Sequence, residues 1–177
     1  MALYMAYQHP ELVRTLVLGE PPVMSLLENN HKCSKDVDTT RRNAFEPVQD
    51  AIRRGETERT VRLFLDGVIN EEGFFYRLLF QIRAMIIDNA KSLGGELASI
   101  YQRFTLEDAQ KITIPTLLLK GRTNSCPKFL HHLIGILASC IPNSKELVIP
   151  DESHNLGRMK KPQVFNASVL EFLSKYS

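Results

Sequence analysis

His154 and Glu20 are the two residues of this sequence whose type and surroundings could together do chemistry. His154 lies in Pro150-Asp151-Glu152-Ser153-His154-Asn155, directly after the apolar stretch 145–149. Glu20 follows Leu16-Val17-Leu18-Gly19 and is backed by Pro21 and Pro22. An imidazole titrates near neutral pH, so it can take a proton from a hydroxyl or from water. A carboxylate within reach fixes its tautomer and stabilises the imidazolium that forms. A second orienting position is offered by Gly121-Arg122-Thr123-Asn124, with Ser125 beside it. Asn124 can hold an imidazole by a hydrogen bond but has no charge with which to stabilise it once protonated. Taken singly, each of these residues is also what a solvated loop contains. Cys126 has no neighbour in the sequence that would activate its thiol, and a nucleophilic role is not expected for it. His31 and Cys33 make half of a metal-binding pattern, and no second pair follows at ligand spacing, so no metal site is expected.

The elements that must carry these residues alternate between strands and helices. Ile112-Thr113-Ile114-Pro115-Thr116-Leu117-Leu118-Leu119-Lys120-Gly121 reads as a buried parallel strand stopped by its glycine. Residues 12–19 and 145–149 read as two more strands. A helix over 127–138 is opened by Pro127 and carries His131 and His132, one expected in solvent and the other half-packed. Lys161-Pro162 opens a last helix, with Val164, Phe165, Val169, Leu170, Phe172 and Leu173 as a broad buried face. Residues 1–9 form a helix on the spacing of Ala2, Leu3, Ala6 and Tyr7, ended by Pro10. Residues 28–42 are polar and read as a linker.

From 43 to 104 the period is helical throughout. Asn43 is placed to cap a helix running to Arg54, with Pro47 in its first turn and Gly55 beyond its end. Thr57 is placed to cap the next, whose stripe is Val61, Phe64, Leu65 and Val68. The most apolar helix spans 74–87, on Phe75, Leu78, Leu79, Ile82, Met85 and Ile86. Another starts at Asp88 or Asn89 and is interrupted at Gly94-Gly95. A short helix over 106–111 is capped by Thr105 together with Asp108.

The 177 residues, 44% apolar and 24% charged, suffice for one core and a smaller lobe. The net charge is +2 and its contributors are interspersed, which argues against a nucleic-acid surface. Arg158, Lys160 and Lys161 read as a solvated loop. Three cysteines at unrelated spacings make no disulfide framework and fit a reducing compartment, so a cytoplasmic location is expected. No apolar run approaches the ~18 residues of a membrane span. Residues 1–7 lack the basic start of a signal peptide.

The order of these segments resembles the C-terminal part of the α/β-hydrolase fold family. Ala2-Leu3-x-x-Ala6-x-x-x-Pro10-Glu11-Leu12-Val13-Arg14-x-Leu16-Val17-Leu18 looks like the helix after that family's nucleophile elbow and the strand that follows it. The helices of 43–104 stand where the family inserts a cap, and His154 stands in the family's catalytic-histidine loop. The resemblance implies an α/β fold of about three parallel strands with flanking helices and a helical cap insertion. Its parts divide as 1–22, 23–111 and 112–177. The family usually places its acid after the strand at 112–121, where this chain has Asn124. Some branches place it after the preceding core strand, where this chain has Glu20. Glu20 is therefore the favoured acid and Asn124 the alternative.

No Gly-x-Ser-x-Gly elbow, or equivalent with Asp or Cys, occurs in the sequence. By the family's spacing it would fall roughly five residues before Met1. The resemblance implies hydrolysis of a small apolar ester-, lactone- or epoxide-like substrate in an intact form, with no cofactor. The chain as written supplies at most two of three triad members and is expected to be inactive alone. Three readings stay open: a start assigned too late, a second chain that completes the first half, or a non-catalytic binding remnant. A bare sheet edge is expected to favour a homodimer or aggregation.

Overall fold

Three of the apolar stretches pair as parallel strands: β1 (Leu16–Gly19), β2 (Thr116–Gly121) and β3 (Ser144–Ile149), in the order β1-β2-β3. The structure, a computed structural model, describes residues 2–27, 37–39, 41–69, 71–100, 102–122, 128–150 and 162–176. In register, Leu18 of β1 meets Leu118, which meets Glu146 of β3. A central parallel strand is covered on both faces, so its side chains are apolar whichever way they point. Accordingly Thr116, Leu117, Leu118 and Leu119 are all buried.

Alternation sorts them between two cores. Leu118 joins Leu16 and Leu18 on one face, against Leu3 and Ala6 of α1 (Ala2–Gln8). Ile134 and Leu137, of the helix Lys128–Cys140, complete that core. Leu117 and Leu119 meet Ile149 and Phe172 on the other face. Leu118 is 0% exposed at the centre of this arrangement, so Leu118→Ala should lower stability by about 3–4 kcal/mol, read as a shift of the denaturation midpoint.

The chain divides into two units, one of Met1–Glu28 with Arg103–Ser177 and one of Asn29–Gln102. Ser25 Oγ donates to the Phe104 carbonyl at 3.0 Å and accepts the Phe104 N–H at 3.1 Å. Tyr4 and Tyr7 of α1 pack edge-on against the Phe104 ring at 5.6 and 6.4 Å, and the Tyr4 hydroxyl donates to the Arg103 carbonyl. Residues 24–27 and 104–112 are thereby fastened to the sheet.

β1 begins at Leu16, later than the pattern from residue 12 suggests. Pro10–Leu12 is a 3₁₀ turn, closed by the Val13 N–H on the Pro10 carbonyl at 3.2 Å, because the chain must reverse between α1 and β1.

In the helical unit, α2 (Glu46–Arg53), α3 (Thr57–Ile69), α4 (Phe74–Arg77), α5 (Phe80–Asp88) and α6 (Leu93–Ile100) follow one another. Val61, Phe75, Ala90 and Leu93 form their core. Gly55 ends α2 in the left-handed conformation, at φ +69°, as a C-terminal glycine does.

Three expectations change here. Asn43 does not cap α2: it lies in a π-type turn, Arg41–Phe45, that runs straight into the helix. The stretch 74–87 is two helices, broken where Leu78 and Leu79 turn extended. No Gly or Pro marks that break; packing overrides local propensity. Asp66 helps, since its carboxylate accepts the Gly73 and Phe75 N–H groups at 3.0 and 3.1 Å and pins α4 onto α3. Gly94 and Gly95 do not interrupt α6; they sit within its first turn.

Back in the sheet unit, α7 (Leu106–Gln110) is capped as its sequence predicts. The Asp108 N–H donates to Thr105 Oγ1 at 3.2 Å and the Thr105 N–H to Asp108 Oδ2 at 3.0 Å. That backbone hydrogen bond holds the Asp108 carboxyl below its ordinary pKa. A depressed carboxyl stabilises the fold above its unfolded pKa, and this contribution is lost as pH falls through the folded one. Thr105→Ala should cost about 1 kcal/mol at pH 7, and Asp108→Asn should flatten part of the acid limb of a stability–pH curve.

α8 (Lys128–Cys140) and α9 (Pro162–Leu173) complete the unit. On α9 the buried face is narrower than expected: Phe172 is buried and Phe165, Val169 and Leu173 pack partly, while Val164 and Leu170 are exposed. Among the described residues no helix is long and apolar enough to cross a membrane.

Candidate active site

Because the three strands are parallel, their C-terminal ends open on one edge of the sheet, where open α/β sheets bind ligands. Glu20 leaves β1 there, Gly121-Arg122 ends β2, and Ile149-Pro150 ends β3. Asn124 and His154 follow the second and third of these points in the sequence.

Glu20 is the candidate residue that lies among the described ones. It is 1% exposed, a burial seldom given to a carboxylate without partners. Its Oε1 accepts the Gly121 N–H at 2.8 Å, and its own N–H donates to the Leu119 carbonyl at 3.0 Å. The side chain thus clasps the end of β1 to the end of β2. Its backbone has φ +47°, and it is the described non-glycine residue in the left-handed region. That conformation costs an L-residue on the order of 1–2 kcal/mol. A following proline disfavours it further by pushing the preceding residue toward extended geometry. Strain of this kind persists only where its surroundings enforce it, and it collects at functional sites. Here the two bonds to β2 hold it, the Glu20 N–H on the Leu119 carbonyl and Oε1 on the Gly121 N–H, against the preference of Pro21. A carboxylate has about four acceptor directions and can take more than one N–H at once.

His154, Asn124, Ser125, Cys126, Ser153, His31 and Cys33 lie outside the described residues. Of the two other histidines considered, His132 is exposed and His131 half-buried on α8. Among the described residues no three His, Cys, Asp or Glu side chains gather as a metal site would need. The helical unit holds a shallow cavity of about 150 Å³ lined by Ile52, Gly55, Thr57, Thr60, Ala90 and Lys91, without acid–base pairs. The pattern of the sequence points to Glu20 but not to its clasp on Gly121, a contact across 101 residues.

No protein-family model matches the sequence, and no curated protein matches it. Solved structures do. The chain aligns over 99% of its length with MenH from S. aureus, at TM-score 0.56 and 19% identity. It aligns over 97% with an α/β hydrolase from Sphaerobacter thermophilus, at TM-score 0.60 and 16% identity. This chain carries a partial α/β-hydrolase fold. A mutant of the meta-cleavage product hydrolase CumD gives the same result, over 98% at TM-score 0.59 and 16% identity. At such identities the likeness is one of fold. The chain spans 64%, 62% and 60% of those three chains, less than two thirds of each. Among the described residues β2 is the central strand, and β1 and β3 are the two outer ones.

Proposed function

We propose that the chain is the later part of an α/β-hydrolase that cleaves a small apolar ester-, lactone- or epoxide-like substrate. The observation that carries this reading is Glu20: a buried, strained carboxylate at the C-terminal end of β1 within this fold. His154 acts as the general base, taking the proton of a nucleophile or of water and returning it to the leaving group. Glu20 fixes its tautomer, with Asn124 as the alternative partner. The division of 1–22, 23–111 and 112–177 into core, cap and core belongs to the same proposal.

The nucleophile comes from outside these 177 residues, since the sequence contains no elbow motif. It is supplied either by a longer form of the same protein or by a second chain that pairs along the outer edge of β1. A bare strand edge is a template for such pairing, and homodimerisation through the same edge is what the chain alone should do. The test is hydrolysis of a p-nitrophenyl ester by the 177-residue chain and by the protein purified from its source. The source protein should turn over and the 177-residue chain should not. Activity in the short chain that vanishes in His154→Ala would place the nucleophile inside it and overturn this part of the reading. Absence of activity in both would favour a non-catalytic binding remnant.

A further inference from the structure

The cavity of about 150 Å³ in the helical unit lies between the end of α2, the first turn of α3 and the 3₁₀ turn Ala90–Ser92 that leads into α6. Ile52 and Ala90 give it an apolar wall, and Thr57 and Thr60 add two hydroxyls. Gly55 and Gly94 line it without side chains. A Cβ placed at either meets nothing within 4 Å, so the space beside them is open. An apolar cavity of about 150 Å³ holds a single benzene ring. The occupant is therefore small, no larger than one ring or a chain of a few carbons.

Lys91 is the charged residue of the lining. It is exposed, and among the described residues no carboxylate reaches it. Arg53, Arg54 and Arg59, on or beside the helices that bound the cavity, each reach one. Among the described residues no acidic side chain lines the cavity to compete for the ammonium. A lysine lays its aliphatic stem along apolar surface and keeps its charged head at the rim. Thr60 Oγ1 donates its proton to the Glu56 carbonyl at 3.0 Å, whereas the Thr57 hydroxyl has no partner among the described residues and is free to donate. We infer that this cavity binds a small organic acid, its hydrocarbon body against Ile52 and Ala90 and its carboxylate between Lys91 and Thr57. Enclosing the body removes apolar surface from water, and the carboxylate gains a charge-assisted hydrogen bond. The site lies within the helical unit and goes beyond the hydrolase reading. Binding there needs no nucleophile, so its failure and that of the hydrolase reading are separately visible.

The experiment titrates the full 177-residue chain with benzoate and with benzyl alcohol, which is of similar size and uncharged, and follows the amide NMR signals. Benzoate should shift the Thr57, Thr60, Lys91 and Gly94 amides saturably. It should bind at least about threefold tighter than the alcohol, the size of an ion pair at a partly exposed site. Raised salt should weaken benzoate alone. Lys91→Met keeps an unbranched apolar stem and should erase the preference while leaving the alcohol bound as before. Gly94→Leu fills the open space from a helical position where leucine is the better helix former, and should abolish binding of both. Equal binding of acid and alcohol by the parent chain, or no saturable shift at those amides, overturns the inference. So does a Lys91→Met variant that keeps the preference, or a folded Gly94→Leu variant that still binds. The acid–alcohol comparison on the parent chain stands whether or not a variant folds.

Discussion

Glu20→Gln should cut the turnover of the assembled hydrolase by about 10⁴-fold, the loss seen when a triad carboxylate becomes an amide. Glutamine keeps an oxygen where Oε1 sits, so it can still accept the Gly121 N–H and preserve the clasp between β1 and β2. Stability should therefore stay within about 1 kcal/mol of the parent. What glutamine lacks is the charge that stabilises an imidazolium. Glu20→Ala is the companion variant. It also strips the acceptor from a buried amide and should cost about 1–3 kcal/mol of stability in addition. Measuring kcat and melting temperature on both variants separates the two roles of this side chain. Full turnover in Glu20→Gln would make Glu20 a structural clasp and move the orienting role to Asn124.

His154→Ala should lower kcat by about 10⁴- to 10⁶-fold, since loss of a triad histidine leaves only binding and oxyanion stabilisation. KM should change far less, because the imidazole acts on the proton in transit and not on the substrate's apolar body. The substitution follows β3 in the sequence and leaves the two cores of the sheet unchanged, so the melting temperature should hold within the range of ordinary surface changes. Turnover that survives His154→Ala would assign the base elsewhere and leave Glu20 without the partner proposed for it.

The parallel strands were legible because each is a short apolar run with a stop: Leu16-Val17-Leu18-Gly19 and Thr116-Leu117-Leu118-Leu119-Lys120-Gly121. The cap of α7 was legible because Thr105 and Asp108 make a local, reciprocal pattern. Glu20 stands out in the sequence by type and place, after a strand and before two prolines. Its clasp on Gly121 does not, because that bond joins segments 101 residues apart and leaves no local periodicity. The break between α4 and α5 was missed for a related reason. Leu78 and Leu79 continue a helical apolar stripe, and only the anchoring of Gly73 and Phe75 by Asp66 shows why the helix stops.

The central claim is that these residues form the later part of a hydrolase whose nucleophile lies outside them, and native mass spectrometry of the protein from its source tests it most directly. The account predicts a species larger than 20.2 kDa by on the order of 10 kDa, as one chain or as a complex with a second chain, in proportion to the 64% of MenH that the sequence spans. A lone 20.2 kDa species, with no second chain, would contradict it and turn attention from catalysis to binding on the helical unit.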